Sequence, residues 1–146
     1  MTGSIRVGAV DWRRPDWNGT FYPADMPEEW RLTFYSSQFN CVYLEAAAWQ
    51  GVDAAELARW HDDVHSRFVF LLAAAPGRDC PAALGEKARI VVPQAPDVLW
   101  FDGGSDLKAL AGRLKEDTGH DGYLISRDGD LGQMERVGTL LELMGF

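Results

Sequence analysis

Strand-like and helix-like segments alternate along this 146-residue chain, and this alternation limits its possible folds more than any other feature. Helical spacing of apolar residues is found in most of the segments between the strand-like runs. The pattern predicts an α/β fold with a mainly parallel sheet and right-handed crossover connections. The strand-like runs, which are β-rich or apolar, are residues 5–10, the first part of 41–49, and residues 67–75, 89–94 and 122–127.

Four helices are predicted from the spacing of apolar residues, over residues 27–39, 53–66, 106–119 and 131–145. In the first of them, Trp30, Phe34 and Ser37 are the expected buried stripe. Residues 76–87 are predicted to form a loop with at most one helical turn. Residues 95–105 are predicted to be a connector, in which VLWF can form a further short strand.

Capping residues sharpen the expected ends of three helices. Asp53 is the expected N-cap of the second helix, with Glu56 three residues later in the capping-box position. Ser105 and Asp130 are the expected N-caps of the third and fourth helices. Gly119 is expected to end the third helix, because glycine tolerates the left-handed backbone of a helix terminus.

Composition excludes several classes of protein. The hydrophobic content of 47% and charged content of 25% are typical of a globular chain, and we expect one domain over residues 1–146. A net charge of −8 argues against nucleic acid or an anionic membrane as partner. The N-terminus lacks the apolar region of a signal peptide, and Cys41 and Cys80 suit a reducing compartment. We therefore expect a cytoplasmic protein.

Ligand sites in parallel α/β folds lie at the carboxyl ends of the strands. Carboxylates placed there can perform acid–base chemistry, arginines can hold phosphate or carboxylate, and tryptophans can stack on a sugar or a base. The interpretation that we favour is packing, with the tryptophans plugging the top of the fold and the charges forming surface pairs. The candidate ligand-binding residues are Asp11, Trp12, Arg13, Arg14, Trp17, Glu45, Trp49, Gln94, Arg127 and Asp128.

Other motifs give weaker signals, and we expect neither metal nor cofactor. His61 and His65 are spaced as in a helical zinc motif, but a third ligand is missing and His120 lies far away in the sequence. The segment 127–132 lacks the full set of acids of a calcium loop. The Gly103–Gly104 pair precedes a helix, where an anion can bind, although a loop and cap explain it better.

Residues 7–23, VGAVDWRRPDWNGTFYP, resemble the N-terminal signature of the YecE-like family (domain of unknown function 72), roughly G-T-S-G-W and then W-x-G-x-F-Y-P. The matching residues are Gly8, Trp12, Trp17, Gly19, Phe21, Tyr22 and Pro23. The segment 32–49 is similar to the family's Y-x-x-x-F-N-x-V-E-I-N-S-T-F-Y, through Tyr35, Phe39, Asn40 and Val42. Weaker similarity continues in register to about residue 127.

The resemblance implies a shortened TIM-type barrel of about five βα units, because a complete barrel needs about 250 residues. The element order also allows a flavodoxin-like open sandwich. Where the family has T-S-G, this chain has Ala9, Val10 and Asp11. Tyr43 replaces a family Glu, Glu45 an Asn, Ala73 a Lys and Ile125 a second Glu, whereas Arg127 is retained.

These departures imply that polar groups at the barrel mouth are largely lost, so we expect a non-catalytic binding or interaction module. An open five-strand sheet would leave its first and fifth strands as edges, and we expect a homodimer to cover them. One alternative is a small-ligand or phosphate-handling enzyme that uses Asp11, Glu45 and Arg127. Another is a structural subunit that completes a barrel with a partner chain. A small anionic or sugar-like molecule is the expected ligand.

Overall fold

Six parallel strands form one sheet in the computed structural model, which describes residues 4–116 and 122–146. The strand order is β4-β3-β2-β1-β6-β5, and the sheet curls into a half-barrel. The predicted α/β fold with an incomplete barrel is therefore confirmed. The strands are β1 (Ile5–Val10), β2 (Cys41–Leu44), β3 (Val69–Ala73), β4 (Ala88–Val91), β5 (Val98–Phe101) and β6 (Gly122–Ser126).

The helices are α1 (Arg31–Gln38), α2 (Ala46–Trp49), α3 (Ala54–Asp63), α4 (Leu107–Glu116) and α5 (Leu131–Met144). Short 3-10 turns occupy Pro15–Trp17, Glu28–Trp30 and Ala82–Lys87. None of the helices in the described ranges is long and apolar enough to cross a membrane.

The predicted caps are partly correct. The carboxylates of Asp53 and Asp130 accept hydrogen bonds in the first turns of α3 and α5, as predicted. The prediction for Ser105 is wrong, because the Asp106 carboxylate accepts the first-turn bond of α4, from the backbone N–H of Lys108 at 2.9 Å. The predicted stop at Gly119 lies outside the described residues.

The sheet edges differ from the prediction. VLWF forms a strand, β5, so there are six strands rather than five. The last strand, β6, pairs with β1, which places β1 in the interior of the sheet and leaves β4 and β5 as the edges. First and last strands also pair in a closed barrel, so this sheet is a barrel interrupted between β4 and β5. Along the chain, residues 92–97 lead from one edge to the other.

The helices lie on the outer face of the sheet. Their buried side chains form one apolar cluster with the outward-facing strand residues. A second cluster lines the inner face, and its members come from strands and from the connector rather than from described helices. This one-sided arrangement differs from the flavodoxin-like alternative, which has helices on both faces. The buried inner residues are Cys41, Tyr43, Leu71, Ala73, Val91, Val98, Tyr123 and Ile125.

The buried stripe predicted for the first helix is wrong for Trp30 and Ser37, which are exposed, whereas Phe34 is partly buried against the outer cluster. Trp30 is 61% exposed, whereas Leu32 and Tyr35 are buried. The Tyr35 hydroxyl accepts a hydrogen bond from the Ala9 N–H (2.9 Å) and donates one to the Cys41 carbonyl (2.7 Å). These bonds tie α1 to β1 and β2, and they explain why the polar tip of Tyr35 can be buried.

Candidate functional site

Three of the candidate residues come directly after neighbouring strands. Asp11 follows β1, Glu45 follows β2 and Arg127 follows β6, all at the carboxyl edge of the sheet. The backbone N–H of Asp11 continues the ladder by donating to the Tyr43 carbonyl at 2.8 Å. Asp11 pairs with Arg13 and Arg127 lies over a tryptophan ring, and within residues 4–116 and 122–146 no ion pair joins any two of Asp11, Glu45 and Arg127.

Asp11 is held by its own loop. Its φ of 62° is in the left-handed region, which is rare for residues other than glycine. The carboxylate accepts from the Arg13 backbone N–H (2.8 Å) and from Arg13 Nε and Nη2 (both 3.0 Å). The guanidinium of Arg13 lies over the rings of Trp12 (4.6 Å) and Trp60 (5.3 Å). Asp11 and Arg13 thus form an internal pair rather than two free ligands.

Arg14 and Trp17 fasten the loop after β1 to the loop after β6. Arg14 donates from Nε to the Val10 carbonyl (2.9 Å) and from Nη1 to the Asp128 carbonyl (3.1 Å). The Trp17 indole N–H donates to the Gly129 carbonyl at 3.0 Å. The bonds to Asp128 and Gly129 join residues more than a hundred positions apart, so they hold the loop after β1 against the loop after β6.

The tryptophans proposed as stacking surfaces are buried. The exposed fractions of Trp12, Trp17 and Trp49 are 4%, 1% and 2%, and all three belong to the outer apolar cluster. The Trp49 indole N–H donates to the Ala73 carbonyl at 2.9 Å. Packing therefore accounts for all three rings, although between the sheet and the helices rather than inside the barrel.

The tryptophan that faces the inside is Trp100 of β5, which is not among the predicted site residues. It contacts Tyr43 edge to face, with ring centroids 4.9 Å apart. The guanidinium of Arg127 lies 4.5 Å from the centre of the Trp100 ring, a cation–π distance. The alternation of side chains along the strand VLWF could have indicated this position, because Val98 and Trp100 point to the same face of the sheet. Gln94 is exposed on the connector nearby in the sequence.

Trp12 and Arg13 line a cleft of about 300 Å³ on the helical side, away from the inner face. Among its carboxylates, Asp63 has its pKa raised by partial burial, which nearby Arg59 counteracts. Four carboxylates and two arginines line the cleft, so it is acidic in character. Its other lining residues are Glu28, Glu29, Leu32, Glu56, Arg59 and Trp60.

The amides of the Gly103–Gly104 pair are already occupied. The Gly103 N–H donates to the Asp128 carboxylate and the Gly104 N–H to the Asp102 carboxylate, both at 2.9 Å. Partial burial raises the pKa of Asp128, but bonds from the amides of Gly103 and Asp130 outweigh that effect and hold its pKa below the ordinary range. Side-chain carboxylates thus take the place that an anion would need.

The histidine pair does not lie on one helix face, contrary to the prediction. Helix α3 ends at Asp63, so His65 lies beyond it in a turn. The Nδ1 of His65 accepts a hydrogen bond from the Arg67 N–H at 3.1 Å. His120 lies outside the described residues. Across the described part of the chain, no group of three or more His, Cys, Asp or Glu residues could hold a metal ion.

Comparison with known families gives a match over β1 to β3 and the loops between them. The family model described as "Protein of unknown function DUF72" matches residues 6–77. The chain belongs to the DUF72 family. The predicted resemblance is therefore confirmed for this segment.

One solved structure is similar to this DUF72 chain, the crystal structure of a DUF72 family protein from Enterococcus faecalis V583. The two sequences are 16% identical, and the TM-score is 0.37. The similarity covers 97% of this chain, and this chain spans 59% of the length of that protein. A search of curated proteins found no match.

The DUF72 signature folds as an aromatic loop against α1. The Tyr22 hydroxyl donates to the Trp12 carbonyl at 2.6 Å, and the Tyr22 N–H donates to the Trp17 carbonyl at 3.0 Å. The Trp17 ring stacks on Tyr35, with centroids 6.0 Å apart, and Phe21 packs beside both. The aromatic residues of the signature therefore have an architectural role.

Proposed function

We propose that this DUF72 chain is a non-catalytic binding module that associates with a second copy of itself through the free edges of its sheet. The observation that supports a non-catalytic module is the apolar inner face of the sheet. Positions at which the family pattern has Glu, Lys and Glu hold Tyr43, Ala73 and Ile125, whose exposed fractions are 1%, 8% and 0%. Ala73 and Ile125 have no ionisable group, and burial raises the pKa of the Tyr43 hydroxyl, so these positions lack the carboxylates and the amine of the family pattern.

The charged groups at the upper end of the half-barrel support the same proposal. Asp11 is bound to Arg13, Arg14 is bound to backbone carbonyls, and Asp128 is bound to backbone amides. Acid–base catalysis needs a group that can exchange a proton with the substrate. These groups are already used to fix loops, so their role is to maintain the fold.

Self-association is supported by the backbone of β4 and β5. The Val91 carbonyl accepts from the Ala74 N–H on the β3 side, so the N–H and C=O of the preceding residue, Ile90, point to the open side. The Phe101 carbonyl accepts from the Arg127 N–H, so by the same alternation Trp100 presents its backbone to the open side. Such edges recruit further strands.

A twofold axis would place β4 of each copy beside β5 of the other, which covers all four edges with one self-complementary interface. Val92 directly follows β4 and is 49% exposed, so its side chain would adjoin this interface. The connector does not block it, because Ala95 packs on the inner apolar cluster. The homodimer therefore uses surfaces that the half-barrel leaves open.

Sedimentation velocity over a range of micromolar concentrations tests the proposal. We expect a dimer, and we expect Val92→Lys to raise its dissociation constant by at least about tenfold, because a charge beside an edge opposes strand addition. The matched control is Leu143→Lys on α5, where an 81% exposed leucine lies away from the sheet edges. This control should leave the dissociation constant unchanged.

Two outcomes would overturn self-association through the edges. One is a monomer at the highest concentration reached. The other is equal weakening by Val92→Lys and Leu143→Lys, since the effect would then come from overall charge. Circular dichroism of both variants establishes that they are folded before their association is compared.

A further inference from the structure

A cavity of about 550 Å³ opens at the amino-terminal ends of the strands, opposite the edge where sites are expected in this fold. We call it the basic cleft. Arg6 at the start of β1, Arg67 just before β3 and Lys87 just before β4 give it three permanent cations. Glu86 is the one carboxylate among the described residues that line it. Its remaining lining residues are His61, Ser66, Phe68 and Val69.

The cations converge on one turn, residues 64–67. Lys87 Nζ donates to the Val64 carbonyl at 3.1 Å and to the His61 carbonyl at 2.8 Å. From the other side, Arg6 Nε donates to the Arg67 carbonyl at 3.2 Å. Both side chains therefore stabilise the turn, and each keeps donor hydrogens that these bonds do not use.

Arg67 differs from the other two cations. Its backbone N–H is bonded to His65, but its guanidinium makes neither a hydrogen bond nor an ion pair within the described ranges. Packing and turn formation thus account for Arg6 and Lys87 and leave the five donors of the Arg67 side chain without a structural role. Although the net charge of the chain is −8, these donors lie beside two further cations, Arg6 and Lys87.

The local potential is correspondingly positive. Partial burial lowers the pKa of His65, and the charges of Lys87, Arg6 and Arg67 lower it further. Like charges in a shared cleft repel one another, and a bound anion removes that repulsion. Guanidinium groups bind phosphate and carboxylate through paired hydrogen bonds, and lysine adds a point charge.

We infer that the basic cleft binds a small oxyanion, either free phosphate or the phosphate group of a small phosphomonoester. The Ser66 hydroxyl at the rim can donate one further bond to such a group. The cavity is larger than a phosphate ion, so it has room for the carrier of the phosphate as well. This site is separate from the edge surfaces of the proposed homodimer, which lie on β4 and β5.

The test is a titration of the full chain with sodium phosphate, ribose 5-phosphate and ribose at constant ionic strength, followed by two-dimensional NMR. We expect saturable shifts of the amides of residues 64–67 with both phosphates and none with ribose. Arg67→Gln should weaken phosphate binding by about tenfold or more, because one charge-assisted pair is lost. It should leave the melting temperature unchanged, because the Arg67 side chain has no hydrogen-bond or ion-pair partner among residues 4–116 and 122–146.

The matched control is Arg78→Gln, which removes the same charge from the exposed loop at the opposite end of β3. Its phosphate affinity should equal that of the unaltered chain. The inference is overturned if phosphate gives no saturable shift, or if both variants weaken binding equally. Tighter binding of ribose 5-phosphate than of inorganic phosphate would assign a phosphomonoester, and equal binding would assign the free anion.

Discussion

Arg89 in β4 and Asp97, the residue before β5, form an ion pair with an N···O distance of 3.2 Å across the gap between the two sheet edges. Arg89 also donates to the Tyr123 hydroxyl of β6 at 3.1 Å. That hydrogen bond and the Asp97 charge raise the pKa of Arg89, although partial burial opposes them. The interrupted barrel is thus bridged by side chains at the point where backbone pairing is missing.

Removing this bridge should lower stability modestly. The two side chains are 49% and 26% exposed, so solvent screens the pair and we expect Asp97→Asn to reduce the free energy of unfolding by about 0.5–1 kcal/mol. Urea unfolding of Asp97→Asn, Arg89→Met and the double variant measures the coupling directly. A coupling energy of zero would show that the two groups do not stabilise the gap together.

Gly8 should be far less replaceable than a glycine on a helix surface. A Cβ at Gly8 would collide with the Cys41 carbonyl and lie 2.9 Å from the Tyr35 hydroxyl. Since two hydrogen bonds fix that hydroxyl, Gly8→Ala should destabilise the protein by about 2 kcal/mol or more in thermal or urea unfolding. The control is Gly138→Ala in α5, where a Cβ meets nothing within 4 Å. It should be neutral or stabilise by up to about 1 kcal/mol; equal losses in both variants would contradict the steric argument.

Local pattern was sufficient for the elements but not for their arrangement. The pairing of β6 with β1 joins residues more than a hundred positions apart, and no short segment encodes it, so the edges were assigned wrongly. The buried stripe of α1 was wrong for a related reason. Helical spacing allows more than one stripe of side chains to be buried. The hydrogen bonds of the Tyr35 hydroxyl to β1 and β2 determine which face of α1 is buried.

For the candidate site, the positions of the residues could be predicted from the sequence, but their contacts could not. Asp11, Glu45 and Arg127 were correctly expected at strand ends, because parallel strands bring their carboxyl ends to one edge. Their partners depended on loop geometry, such as the positive φ of Asp11, and could not be deduced from spacing. Trp100 was missed because a four-residue strand in a connector gives too short a pattern to assign a face.

Asp11 occupies a position suited to glycine, which the family pattern has there. A β-branched residue at a φ of 62° is strained by about 1–2 kcal/mol. Asp11 in addition gains a hydrogen bond, because its carboxylate accepts from the backbone N–H of Arg13. We expect Asp11→Val to cost about 2 kcal/mol or more and Asp11→Asn less than about 1 kcal/mol, measured by urea unfolding. Arg13→Met removes the ion pair and the contacts of the guanidinium with Trp12, Trp60 and the Ala48 carbonyl, but it leaves residue 11 as aspartate. If it costs as much as Asp11→Val, the pair and not the backbone determines the effect.

The two free thiols should differ sharply in reactivity. Cys41 is fully buried on the inner face, and Cys80 is exposed. Because only the thiolate reacts, and burial raises the pKa of the Cys41 thiol, a thiol reagent should modify one cysteine in the folded protein and two in urea. Cys80→Ser should abolish the reaction in the folded state. Rapid modification of that variant would mean that the inner face opens readily.

The same thiol should make stability depend on alkaline pH. Its pKa is raised by burial in the folded protein, with a smaller opposing effect from Arg6, and is about 9.0 when unfolded. Above pH 9 the unfolded chain therefore binds fewer protons than the folded one, so the free energy of unfolding falls as pH rises, by up to about 1 kcal/mol per pH unit from this group.

Cys41→Ala lowers stability at every pH by removing a buried side chain, but it should flatten the slope between pH 9 and pH 10. Cys80→Ser should retain most of the slope, because the pKa of the Cys80 thiol is raised only by partial burial. Urea unfolding at several pH values measures all three chains, and an unchanged slope in Cys41→Ala would assign the dependence to the buried hydroxyls of Tyr22 and Tyr35, whose pKa values burial also raises.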